Sequence, residues 1–130
     1  DCIPGQWGGI HIKEQSFGNA INYADIHSGD FGIICDSSST DVEKVRIENS
    51  ILHNMSGNNL TLYNVKAHVG NSQITNAGGD CVSVVGGDVR FIHCTIGQFY
   101  AFTAVRGVAF RFANVNGPYG RGGLFVLKYS

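Results

Sequence analysis

The sequence predicts an all-β chain wound as a parallel β-helix of about five coils, and three observations predict it. A short motif, a small or polar residue followed by apolar, any, apolar, occurs five times. Its copies are Gly9-Ile10-His11-Ile12, Gly32-Ile33-Ile34-Cys35, Asn59-Leu60-Thr61-Leu62, Cys81-Val82-Ser83-Val84 and Gly107-Val108-Ala109-Phe110, in steps of 23, 27, 22 and 26 residues. A second column runs between them: Ala24-Asp25-Ile26, Asn49-Ser50-Ile51, Ser72-Gln73-Ile74 and Cys94-Thr95-Ile96, in steps of 25, 23 and 22 residues. The segments that follow the second column are turn formers. A unit of this length is too short to fold alone and must bury its apolar face against its neighbours, as solenoid repeats do.

Each element follows from local chemistry. In the first column alternate residues share a face, so Ile10/Ile12, Ile33/Cys35, Leu60/Leu62, Val82/Val84 and Val108/Phe110 are expected to point inward. In the second, Ile26, Ile51, Ile74 and Ile96 are expected to form one buried stack. The corners His27-Ser28-Gly29-Asp30, Asn54-Met55-Ser56-Gly57-Asn58 and Thr75-Asn76-Ala77-Gly78-Gly79-Asp80 carry Gly with Asn or Asp. Those residues tolerate the left-handed conformations of tight turns. No window of helical length carries an apolar stripe. Leu124-Phe125-Val126-Leu127-Lys128-Tyr129 reads as one more strand after a loop.

Composition narrows the function. Charged residues are 15% of the chain and the formal net charge is −1, which argues against a nucleic-acid partner, since that requires a basic face. No run of about 18 apolar residues is present, so no membrane-spanning helix is expected. Residues 1–130 read as a single β-helix domain, with a longer parent chain or a second copy expected to cover the coil ends. Trp7, Phe110, Phe112, Phe125 and Tyr129 fall near those ends, and apolar surface of that kind seldom stays bare. A homo-oligomer is therefore expected of the isolated chain.

Coils of 22 to 27 residues with uneven corners, and without the six-residue repeat of left-handed β-helices, resemble the right-handed parallel β-helix of the pectate-lyase-like superfamily. The resemblance covers about residues 7–112. The opening Trp7-Gly8-Gly9-Ile10 also resembles secreted bacterial β-helix repeat proteins. The resemblance implies a right-handed solenoid and an extracytoplasmic location. Within it, Gly78-Gly79-Asp80-Cys81-Val82-Ser83-Val84 is similar to the aspartate-rich coil of polygalacturonases, where paired carboxylates act as acid and base. Here Gly79 stands in place of the first aspartate, and no histidine follows in Val85-Gly86-Gly87-Asp88. Only Asp80 carries over, and its simpler role is to close a corner. The acidic residues are too scattered for the six to eight oxygens that calcium takes. No catalytic residue, metal or cofactor is expected. Cys35, Cys81 and Cys94 occupy non-equivalent ladder positions, and with Cys2 they are expected to be free thiols rather than disulfides.

What remains is an outward polar strip. Three places before each isoleucine of the second column stand Tyr23, Glu48, Asn71 and His93; one place before stand Asp25, Ser50, Gln73 and Thr95. Sugars bind through aromatic faces and planar polar side chains, so Tyr23, Asp25, Glu48, Asn71, Gln73 and His93 are the candidate carbohydrate-binding residues. The expected function is that of a noncatalytic extracytoplasmic β-helix module, structural or glycan-binding. The alternatives are a portion or remnant of a polysaccharide lyase or glycoside hydrolase, and a self-assembling scaffold.

Overall fold

The computed structural model describes residues 3–98, 107–113 and 124–128. Its described residues form three parallel sheets and no helix. The first sheet stacks β1 (Ile10–Ile12), β4 (Ile33–Cys35), β7 (Leu60–Tyr63), β10 (Val82–Val85) and β13 (Phe110–Ala113) in that order. The second stacks β2 (Asn19–Asn22), β5 (Glu43–Glu48), β8 (Lys66–Gly70), β11 (Asp88–Ile92) and β14 (Leu124–Lys128). The third stacks β3 (Asp25–His27), β6 (Ile51–Met55), β9 (Gln73–Ala77) and β12 (Thr95–Gly97). Three strands in succession make one turn, so the chain winds as a parallel β-helix of about four coils rather than five. β13 and β14 add to the first and second sheets beyond the fourth coil, and β14 is the strand expected near residue 124.

The first column holds over four coils and slips at the fifth. Ile10, Ile33, Leu60 and Val82 stack in register, but the next residue is Phe110, not Val108. Val108 is 45% exposed. The cause lies in the corner: Asp80 Oδ1 accepts the Val108 N–H at 2.9 Å and holds Gly107 and Val108 outside the strand. Beyond them, the Val82 N–H donates to Ala109 O, two residues later than the motif implies.

The isoleucine stack is also corrected. Ile26, Leu52, Ile74 and Ile96 are in register on the inner face, while Ile51 pairs with Asp25 and Gln73 on the outer one. Leu52 is fully buried and Ile51 is 40% exposed. Register here is counted from the preceding corner. Tyr23, Asn49, Asn71 and His93 all adopt left-handed φ values between 46° and 56°, and the inward residue follows each by three positions. Identity of the apolar side chain is secondary to that count.

The second sheet supplies a third apolar ladder that sequence reading did not identify. Ile21, Ile47, Val69 and Phe91 stack inward beside Asn19, Val45, Ala67 and Val89. A register shift between Glu43 and Val45 interrupts the alternation. Lys44, the residue at that shift, is fully buried. Its ammonium donates to the carbonyls of Lys13 (2.7 Å) and Glu14 (3.1 Å) and lies 4.9 Å from the Phe17 ring centroid. A buried charge is tolerated only with such partners, and here they tie the loop after β1 in the first coil to β5 in the second. Cys35, Cys81 and Cys94 are buried and form no disulfide, as expected of them; Cys2 lies outside the described residues.

Candidate functional site

The corner between the second and third sheets carries the outward strip. Tyr23, Asn49, Asn71 and His93 occupy successive coils there, each donating its backbone N–H to a carbonyl of the next coil: Glu48, Gly70, Ile92 and Lys128, at 2.9–3.3 Å. The asparagine amides run as a ladder along the axis. Asn71 Nδ2 donates to Asn49 Oδ1 at 2.6 Å, and Asn49 Nδ2 donates to Asn22 Oδ1 at 2.9 Å. Behind the corner is a column of small residues. Ser50 Oγ accepts the Ala24 N–H and donates to Glu48 O, and Ser72 Oγ accepts the Ser50 N–H and donates to Gly70 O. These bonds satisfy the backbone at a bend where the strand ladder is broken.

In front of the corner is a shallow open groove of about 430 Å³, lined by Tyr23, Asn49, Ile51, Asn71, Gln73, His93 and Thr95 with the two serines at its floor. Four of the six residues expected from sequence, Tyr23, Asn71, Gln73 and His93, therefore share one surface. Asp25 and Glu48 do not join them. Asp25 is in register with Gln73's column, but its carboxylate turns to His53 Nε2 at 2.8 Å, and Ser50 is not the residue stacked on it. His53 in turn stacks on His27 at 4.9 Å. Glu48 lies at the end of β5 on the second sheet, held by Arg46 Nη1 at 3.0 Å with His68 Nε2 at 3.7 Å. The place assigned to Glu48 belongs to Asn49. Asn49 and Ile51 are the groove residues that sequence reading missed. The 22-residue steps from Asn49 to Asn71 and from Ser50 to Ser72 are the signal that locates them.

The segment Gly78–Val84 is built as a corner clip. Asp80 is nearly buried: Oδ1 accepts the Val108 N–H and Oδ2 accepts Arg111 Nε at 2.8 Å. Its own N–H donates to Asn58 Oδ1 at 2.8 Å. Both carboxylate oxygens are engaged in joining one coil to the next. Burial drives the Cys35 thiol up to about 12 and the Cys81 thiol up to about 11, and it raises Cys94 as well. Such thiols are poor nucleophiles. Among the described residues, no three His, Cys, Asp or Glu side chains converge to hold a metal ion, and no helix is long and apolar enough to cross a membrane.

Comparison with protein-family models, with curated proteins and with solved structures finds no match to this chain.

Proposed function

We propose that the chain is a noncatalytic, extracytoplasmic β-helix module that holds an elongated carbohydrate along the corner groove. One observation carries the reading. Tyr23 is 81% exposed and adopts a φ of 53°. The left-handed region costs an ordinary residue about 1–2 kcal/mol, and the next two coils use asparagine, which tolerates it. A tyrosine here contributes little burial and carries the backbone cost, yet it sets an aromatic ring at one end of a row of amides. That combination suits a sugar, whose C–H face packs on a ring and whose hydroxyls pair with amides. The engaged carboxylate of Asp80 supports a binding role over the hydrolase or lyase alternative. The resemblance to right-handed, pectate-lyase-like β-helices is consistent with this reading.

The test is Tyr23→Asn. The variant should melt at the same temperature or higher, by up to about 1 kcal/mol of stability, while its retention on a glycan array falls to background. A variant that binds as the parent does would refute the assignment.

Self-association is a second part of the proposal. Trp7 and Phe17 near the first coil are each 40% exposed, and Phe112 beyond the fourth is 38% exposed. Contact between coil ends of two copies would cover such residues. Sedimentation at micromolar concentration should give at least a dimer, and a monomer would remove this part alone.

A further inference from the structure

We infer that the ligand of the corner groove is an uncharged glycan lying parallel to the solenoid axis, bound without metal or salt-dependent contacts; this rests on the carbohydrate reading above. The lining decides the ligand's charge. The corner groove has no Asp, Glu, Lys or Arg in its wall, whereas three other surface grooves do. The groove on the second sheet presents Glu43, Arg46, Lys66, Asp88 and Arg90. The one beside β4 presents Glu14 and Asp36, and the one near Trp7 presents Asp25. An acidic polysaccharide brings a carboxylate or sulfate on most units, and a groove that selects one presents cations to pair with it. The corner groove has no guanidinium or ammonium to meet it. Its nearest acids lie to either side and are already paired, Asp25 with His53 and Glu48 with Arg46.

The direction follows from the register. Tyr23, Asn49, Asn71 and His93 rise one coil at a time, three steps of about 4.8 Å, so the row spans about 14 Å. A second row, Asp25, Ile51, Gln73 and Thr95, runs beside it. Ile51, half out of the core, gives that row an apolar contact beside the tyrosine ring. Amides and hydroxyls then recur with the coil step, which matches a ligand that repeats along one line. A branched or globular epitope would leave most of the row uncovered.

The experiment is calorimetry of the 130-residue chain with hexamers of neutral backbone (β-glucan, mannan, xylan) and of acidic backbone (galacturonate, mannuronate). Each is run at low and high salt and with chelator, on the parent, Tyr23→Ala and Ile51→Ala. Thermal melts confirm that both variants fold. The expected result is binding of a neutral hexamer that salt and chelator leave unchanged and that each substitution weakens about tenfold. Binding of an acidic hexamer, lost in Tyr23→Ala, with no neutral hexamer bound, would overturn the uncharged assignment and leave the groove as the site. Binding of no hexamer, or binding indifferent to both substitutions, would overturn the carbohydrate reading and this inference together.

Discussion

The sharpest test of the register is a pair of adjacent substitutions, Leu52→Ala and Ile51→Ala. Leu52 is fully buried between Ile26 and Ile74, its partners in register on neighbouring coils. Truncating a buried leucine costs about 3–5 kcal/mol where surrounding structure cannot close the cavity. The backbone hydrogen bonds between coils set the spacing on both sides of Leu52, so little collapse is available. At about 3 kcal/mol the folding equilibrium falls by more than a hundredfold, and the melting temperature drops by roughly 10 °C for a chain of this size. Ile51 keeps 40% of its surface in water, and its truncation removes only part of a side chain's burial, about 1 kcal/mol. Urea unfolding followed by circular dichroism measures both. If Ile51→Ala costs as much as Leu52→Ala, the isoleucines form the inner stack and the corner count is wrong. The same variant separates stability from binding, because Ile51 lines the groove.

Further consequences concern the thiols and the acids. Cys35, Cys81 and Cys94 should resist iodoacetamide in the native state at mildly alkaline pH and react on unfolding, since burial suppresses their thiolates; native labelling of Cys35, read by peptide mapping, would contradict the packing. Asp36 lies below its usual carboxylate range, chiefly through the hydrogen bond from His11 at 2.7 Å. A carboxyl depressed in the folded state stabilises it above the unfolded value of about 4 and loses that contribution as pH falls through the folded value. The stability gap between the parent and Asp36→Asn should therefore be open near pH 5 and close in stronger acid; a gap that persists unchanged below pH 3 would refute the pairing. Asp80→Asn should lower stability by about 1–3 kcal/mol, as loss of a charge-assisted bond does. It should alter no turnover, because none is expected on pectin, polygalacturonate or neutral glycans. Turnover by the parent that this substitution abolishes would restore the enzyme alternative.

The architecture was legible because its signals are local. Alternation along a strand, turn residues at a repeated offset and a period too short for an independent unit all lie within one coil's length of sequence. They sufficed for the parallel β-helix, for the inward residues of four rungs of the first column, for β14 as a strand and for three buried cysteines outside any disulfide. The second sheet escaped because its pattern is blurred. Lys44 intrudes at a register shift, Ala67 is small, and Asn19 stands in an inward column.

Of the site, Tyr23, Asn71, Gln73 and His93 could be read from the repeat, since one period relates neighbouring coils. Asp25 stands in its expected column but its carboxylate turns to His53, which no local pattern shows; Glu48 was misplaced, and Asn49 and Ile51 were passed over, for a different reason. Two adjacent apolar residues, Ile51 and Leu52, both satisfy an alternating pattern, and choosing the wrong one moves every side chain to the opposite face. What chose between them is tertiary: the left-handed turn at Asn49 and the backbone N–H bond it sends to Gly70 of the next coil. Val108 and Phe110 repeat the lesson, with the carboxylate of Asp80 holding the corner open by two residues. Periodicity along the chain thus determined that coils exist and how they are spaced. Hydrogen bonds between coils, made by residues twenty or more apart, decided which side chains face the core and which face the groove.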